Sequence, residues 1–374
     1  ILPAIAFGNL QDTNTKGAIN VEKVLIGQVL GGLIFSIFSG QPLVVVMTTA
    51  PLVLFTKIII LVAADLGYAF LPFFAMVGIW NSFFLIIYAV FNLSILMKFS
   101  SRATEETFGN FISIALTVDA MKHLAKSFIT NYDNEVCDAF DRDPGELEKH
   151  TQHSDSSVAG PLLSAMAHNI TKRAAVDSEE FVCQKEVPLL YLILMLGTVW
   201  LGLTLFDFVK TPFLSPRKRE LLSDYSLPVA VVVFSIIGSV GFWRVPLDKF
   251  KLDGDYKMEL VPFEELSTGG YFFSALLGFS LSILFFMDQN ISAAMVNSPE
   301  NHLKKGNAYH WDLVVVAIIN LITSIFGLPF MHAVLPHSPL HVQCLADKET
   351  RVTNGYARDV VTHARETRLT NLCS

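Results

Sequence analysis

Charge and cysteine are both scarce in this chain. Its 374 residues include 27 Lys+Arg and 34 Asp+Glu, so 16% are charged, where a soluble globular chain has roughly 25%. Four cysteines are too few for a disulfide scaffold of this length. A formal charge of -7 leaves no basic surface for nucleic acid. Hydrophobic residues make up 52% and phenylalanine alone numbers 30, which excludes a disordered chain. What is present is apolar sequence in long runs, the composition of a polytopic membrane protein.

A helix crosses the hydrocarbon core with about 20 mostly apolar residues. Phe73–Met97, Val187–Phe206, Tyr225–Trp243 and Leu266–Met287 contain no charged residue. Leu313–Ala346 is equally free of charge, too long for one span, and interrupted by Pro329, Pro336 and Pro339. Weaker candidates are Val24–Phe38, Gln41–Ala64 with Lys57, and Thr107–Phe128 with Asp119 and Lys122. These patterns predict eight or nine membrane segments, some of them not full spans.

The connecting segments alternate in character. Lys98 and Arg102, then Lys210 with Arg217, Lys218 and Arg219, then Lys304 and Lys305, and finally Lys348, Arg351, Arg358, Arg365 and Arg368 mark one side. The positive-inside rule makes that side cytoplasmic. Residues 131–186 hold 12 acidic and 5 basic residues, which accounts for the net charge of the whole chain. This acidic segment is therefore expected outside as a large extracellular loop. It contains Asn169-Ile170-Thr171, a glycosylation acceptor that functions only on the lumenal side. Cys137 and Cys183 bracket it and either pair in an oxidising compartment or remain two free thiols. The sequence opens within an apolar run at Ile1 and stops after a basic stretch at Ser374, and is expected to be a fragment.

An internal repeat carries the functional signal. GQPLVVVMTTAPL (40–52) and GLPFMHAVLPHSPL (327–340) each have a Gly-x-Pro opening, a short apolar stretch, a hydroxyl- or His-rich turn and a second proline before another apolar stretch. Proline is tolerated in the first helical turn, so Pro51 and Pro339 mark helix starts, with Thr48, Thr49 and Ser338 placed to cap them. Non-helical backbone at membrane depth survives only where it is buried or lines a cavity. Paired, proline-interrupted segments in two halves of a chain point to a transporter's central site. Two helix starts meeting near the midplane offer unpaired amides and the positive ends of two dipoles, a pocket for a small anion.

Ionisable residues at membrane depth are functional candidates. Asp288, in FFMDQNIS, lies either deep in a helix extending to Ser298, where it suits a coupling sodium ion or a proton, or near that helix's end. Asp119 and Lys122 are spaced to pair on one helix face, a structural role. His332, His337 and His341 form a short cluster. A neutral His at a helix start is a hydrogen-bond donor to an oxyanion, whereas a metal-binding reading has a single H-x-x-x-H pair to rest on.

At these residues the sequence resembles a known family. GQPLVVVMTTAPL, GIWNSFFLIIYAVFNLS, RATEETFGNFISI, MLGTVWLGLTLFDFVKTPFLSPRKRELLSDYSLPVAV, VNSPENHLKKGNAYHWDL and LPFMHAVLPHSPLHV together resemble the bicarbonate transporter family, and HAVLPHSPLHV with ETRLT its borate-transporter-like branch. The resemblance implies an all-α fold of fourteen segments in two inverted repeats of seven, with two broken half-helices meeting at the midplane. Residues 1–374 would be a partial transmembrane domain, from the end of segment one to the lead into segment eleven. The family's cytoplasmic N-terminal domain and last four segments would lie outside the sequence.

By the same resemblance the substrate site falls on Thr48, Thr49, His337 and Ser338, with Asp288 as the coupling position. Chloride–bicarbonate exchangers have Arg where this chain has His337 and Glu where it has Asp288, whereas sodium-coupled relatives have Asp at the latter. Loss of the Arg removes a permanent charge from the site and speaks against electroneutral chloride–bicarbonate exchange. The implied function is secondary active transport of a small inorganic anion (borate, bicarbonate or a hydroxide/proton equivalent) across the plasma membrane by alternating access, with sodium coupling as a compatible refinement. No cofactor beyond a bound sodium ion is implied. Protons, the lipid bilayer and a second copy of the full-length protein are the other expected partners, and nucleic acid is not one. The narrower location is basolateral, and ammonia stays open among the substrates. The alternatives are a His-cluster metalloenzyme embedded in the membrane and a non-transporting scaffold or adhesion protein.

Overall fold

The computed structural model describes residues 2–95, 102–132, 185–245, 259–335, 337–353, 356–366 and 368. Asn169, Cys137 and Cys183 lie outside them, as does the Asp119 side chain. The chain falls into two compact units, Ile1–Leu116 with Phe250–Ser374, and Thr117–Lys249. In chain order the helices are α1 (Leu2–Thr15), α2 (Val21–Phe38), α3 (Ala50–Asp65), α4 (Phe70–Val90), α5 (Arg102–Tyr132), α6 (Glu186–Phe206), α7 (Pro216–Asp224), α8 (Ser226–Ile236), α9 (Thr268–Val296), α10 (Tyr309–Ile325) and α11 (His337–Cys344). Two short strands, β1 (Val46–Met47) and β2 (His332–Ala333), precede α3 and α11, and a hairpin of β3 (Ala346–Thr353) and β4 (Tyr356–Ala364) follows.

Among the described residues, four helices are long and apolar enough to cross a membrane: α2, α4, α6 with its extension to Lys210, and α9. The pair Arg217–Asp224 and Ser226–Gly241, bent by 60°, makes a fifth if counted as one span. The apolar runs at 41–64 and 313–346 do not form continuous helices, because each contains an extended stretch before its second proline. Several helix boundaries differ from the charge-free runs. α4 starts three residues earlier and ends seven earlier than Phe73–Met97, and α9 continues through Asp288 to Val296. Burial of that last stretch replaces the water that would otherwise end the helix at a charge.

In the larger unit, α4 is the central element, packed by α9 on one side and α10 on another, while α1 packs on α2 and α3. Phe73, Phe74, Val77, Asn81 and Leu85 on α4 are buried at helical spacing, the stripe that faces neighbours on an amphipathic or fully buried helix. Phe74 stacks on Phe330 with ring centroids 4.2 Å apart, which ties α4 to the second interrupted segment. Gly278 lets α9 approach α4 closely: a Cβ there would lie 2.9 Å from the Val77 carbonyl oxygen. Asn20 caps α2, its side-chain oxygen accepting the Lys23 amide at 3.0 Å.

In the smaller unit, α8 packs on α6 with the Phe234 ring against Gly197. Leu196, Trp200 and Leu203 on α6 stay exposed, an apolar face fitted to lipid or to another membrane helix. Asp207 and Lys210 pair at 2.7 Å in the open, one turn apart, as their place at a span boundary suggests.

The β3–β4 hairpin is an addition to the helical architecture that the basic composition of 346–368 concealed. Its register runs from Ala346 opposite Ala364 to Thr353 opposite Tyr356, and Val352, Thr353, Val360, Val361 and Thr362 supply the β-branched residues that favour strand. Beyond it, the Glu366 carboxylate accepts the Lys304 and Lys305 backbone amides, and the Arg368 guanidinium donates to the Ile37 and Ser39 carbonyls. These contacts join two basic segments, 304–305 and 346–368, to each other and to the end of α2.

Candidate functional site

Two interrupted segments, 39–49 and 326–335, pass through the interior of the larger unit without helix. Buried backbone groups need partners, and part of the need is met where the segments cross. β1 and β2 pair antiparallel, Val46 opposite Ala333 and Met47 opposite His332. The Val334 amide extends the ladder to the Val45 carbonyl at 3.0 Å. The repeats identified in the sequence therefore meet, and they bring the starts of α3 and α11 to one place.

Side chains from surrounding helices satisfy much of what remains. Gln28 of α2 donates to the Val46 carbonyl at 2.6 Å. Asn320 of α10 works like a third strand: its amide donates to the Met331 carbonyl at 2.7 Å and its oxygen accepts the Met331 amide at 3.0 Å. Gln289 of α9 accepts the Ala333 amide at 2.8 Å, and Ser292 donates to the Ala333 carbonyl at 3.3 Å. Asp312, near the start of α10, accepts the Gly40 amide at 2.6 Å where the first repeat opens.

The helix starts differ from the expected capping. Thr49 is the N-cap residue of α3, extended at φ -116° and ψ 164°, but its side chain forms no cap bond. Its hydroxyl lies 3.1 Å from His332 Nε2, and the Thr48 hydroxyl donates to the Phe330 carbonyl at 3.0 Å. Ser338 sits second in α11 with its hydroxyl accepting the Val45 amide at 3.1 Å. Each hydroxyl finds a partner across the crossing, which no local pattern reveals. The first-turn amides of α3, which have no intrahelical acceptor, are thus left without a side-chain cap. Pro51 lies in that first turn as expected, whereas α11 already begins at His337, two residues before Pro339.

Asp288 is buried in the interior of α9, and the residues from it to Ala293 are all buried. Its Oδ2 lies 3.1 Å from His332 Nε2, while Oδ1 has no partner among the described residues. His332 Nδ1 lies 2.7 Å from the carbonyl oxygen of Ala333, an acceptor only, so Nδ1 carries a hydrogen and donates it. The imidazole and the Phe285 ring meet edge to face, with centroids 5.0 Å apart. The cluster of three histidines is divided by this fold. His332 lies at the crossing, whereas His337 and His341 lie on α11, half-buried, with Nδ1 of the one and Nε2 of the other unpartnered among the described residues. Sequence reasoning weighed His332 only as one of a cluster and overlooked Gln289 and Asn320. The available signal was their position, His332 inside an interrupted segment and two polar side chains within apolar helices.

The arrangement joins two helix starts, hydroxyl groups and neutral imidazole donors, all suited to a small anion, to a buried carboxylate suited to a cation or proton. The profile described as "HCO3- transporter integral membrane domain" matches residues 1–374. This chain belongs to the bicarbonate transporter family. It is 44% identical over 383 residues to solute carrier family 4 member 11 of Homo sapiens, a match covering 100% of this chain and 43% of that protein. It is 28% identical over 377 residues to electrogenic sodium bicarbonate cotransporter 1 of Oryctolagus cuniculus, covering 91% of this chain and 34% of that one. The chain thus spans less than half the length of these curated relatives. The transmembrane domain of a cyanobacterium bicarbonate transporter, BicA, superposes with a TM-score of 0.57 at 15% identity, covering 99% of this chain and 75% of that chain. At that distance the likeness concerns the fold, an all-α polytopic transporter fold. Membership of the bicarbonate transporter family sets the chain among integral membrane transport proteins, so the metalloenzyme alternative falls.

Proposed function

We propose that the protein carrying this chain is a plasma-membrane secondary transporter that moves a small inorganic anion by alternating access. The anion is held where α3 and α11 begin, by the amides of those first turns with Thr48, Thr49, His337 and Ser338. Asp288 holds the coupling ion, sodium or a proton. The observation that carries the reading is the antiparallel crossing of Val46–Met47 with His332–Ala333, which turns two proline-broken segments into one polar centre. Support for sodium comes from the cotransporter relative whose name includes it and from the aspartate at position 288. The unpartnered oxygen of that buried carboxylate is a place for a positive charge. Support for a weakly charged or oxyanionic substrate comes from the site itself. A helix start and a neutral histidine attract an anion without the fixed cation that a permanently charged competitor would need.

The whole protein is read as a homodimer, with the exposed apolar face of α6 near the contact. Bicarbonate, borate, hydroxide or proton, and ammonia are separated by recording intracellular pH in cells expressing the full-length protein, with bicarbonate and boric acid supplied separately. In the same cells Asp288→Asn abolishes sodium- or proton-dependent flux while surface abundance is retained. Unchanged flux in vesicles removes Asp288 from the mechanism.

A further inference from the structure

One ring nitrogen stands between the two halves of the site. His332 Nε2 is 3.1 Å from Thr49 Oγ1 on the α3 start and 3.1 Å from Asp288 Oδ2 on α9. The other ring nitrogen is committed to the Ala333 carbonyl, 2.7 Å away, so the imidazole cannot rotate to serve the two partners with different atoms. Packing reinforces this. His332 is 1% exposed, and the Phe285 ring packs edge to face with it. A ring nitrogen has either one lone pair or one hydrogen, and so serves one partner fully at a time.

We propose that His332 is the positioning residue that couples the anion pocket to the ion site, because Thr49 and Asp288 compete for its single free nitrogen. The inference rests on the reading of Asp288 as coupling site given above and deepens it. When Asp288 holds a proton it donates that proton to the Nε2 lone pair, and the Thr49 hydroxyl hydrogen is released to point at an anion beside the α3 amides. When Asp288 is otherwise engaged, Nε2 accepts from Thr49 and withdraws that donor from the anion. Occupancy of one site therefore alters affinity at the other, and linkage makes the effect reciprocal.

The elements packed against α9 are α4, α10, α11 and β2. Besides His332, their titratable side chains are Tyr88, Tyr309, His310, Asp312, His337, His341 and the exposed Cys344. Of these, Asp312 is spent on the Gly40 amide and Tyr88 lies 2.9 Å from the Ser282 hydroxyl. The element bearing Thr49 adds Lys57, which is exposed, and Asp65.

The test measures initial anion uptake by the full-length protein in vesicles, with bicarbonate and boric acid as separate probes, at high and low sodium and at two pH values. In the unaltered protein the apparent KM for the anion shifts with the coupling ion by about fivefold or more, the lower end of ordinary coupling between sites. His332→Asn keeps a short amide near the Ala333 carbonyl but cannot reach Thr49 and Asp288, and the shift collapses below twofold, an order-of-magnitude expectation on the same scale. His332→Gln places an amide near the Nε2 position and restores most of the shift. A merely structural histidine would be affected equally by both substitutions. Thr49→Val, close to isosteric, removes one competitor and also loses the shift, which decides the matter if the histidine variants fail to reach the membrane. Asp288→Asn separates the two levels of the argument. If ion dependence survives Asp288→Asn, the coupling-site reading itself fails. If it is lost there yet the KM shift persists in His332→Asn or Thr49→Val, the reading stands and the coupling role of His332 is overturned.

Discussion

Asn320 shows how much of this site is determined by single side chains. It sits mid-helix in a short apolar helix, a costly place for an amide unless every polar atom is paired. Its nitrogen donates to both Val316 and Met331 carbonyls, at 2.8 and 2.7 Å, and its oxygen takes the Met331 amide. Asn320→Leu keeps the volume and orphans both backbone groups of Met331. Each buried group left unpaired costs about 1–3 kcal/mol, so the variant melts earlier in detergent and loses anion affinity, because Met331 precedes His332. A melt and an uptake curve on the same preparation check both effects, and an unchanged KM with a lowered melting temperature would confine Asn320 to stability. Asn320 was legible as an isolated polar residue in an apolar run, but its partner lay 11 positions away along a segment whose path sequence cannot trace.

At the scale of elements, the broken helices were the readable part and their mutual contact was not. Proline at position 51 and the length of each apolar stretch dictate interruption, since proline lacks the amide a helix interior requires. What the hydroxyls do there followed from the crossing. Thr48 and Thr49 face acceptors on the opposite segment and leave the cap position unfilled. Helix packing gives a second prediction. Gly278 of α9 has no room for a Cβ, with Val77 and Trp80 of α4 in the way, whereas Gly32 of α2 has nothing within 4 Å. Overpacking of this kind costs about 1–3 kcal/mol, so Gly278→Ala lowers the melting temperature of the purified protein. Gly32→Ala leaves it equal or slightly higher, because alanine restricts the unfolded chain. Equal behaviour of the two variants would contradict the close approach of α4 and α9.

For the molecule as a whole, two of the basic segments that the charge pattern expects on one side, 304–305 and 346–368, meet in the larger unit. Glu366 accepts amides from Lys304 and Lys305, Arg368 reaches the end of α2, and Arg365 pairs with Asp347 at 3.3 Å. Glu366→Ala removes the acceptor for two loop amides. The expected result is faster tryptic cleavage within 346–368 of the full-length protein, as local opening becomes easier, with the anion KM unchanged. Cleavage at the original rate would show that the hairpin is held by other contacts. The hairpin itself was hidden from sequence reading, since two strands that pair with each other bury little and need only β-branched residues at the right register.

The amino-acid sequence alone determined where membrane-length apolar runs lie, where basic residues cluster between them, where the chain cannot be helical and that Asp288 is unusual. These follow from short-range chemistry: transfer of side chains from water, and the geometry of proline. Only the tertiary structure decided that Val46 meets Ala333, that Asp288 lies within a helix and not at its end, and that His332 shares one nitrogen between Thr49 and Asp288. Val46 with Ala333 and Thr49 with His332 join residues hundreds of positions apart, and Asp288 reaches the crossing from a third element. Their partners are selected by which buried groups remain unsatisfied once the helices have packed.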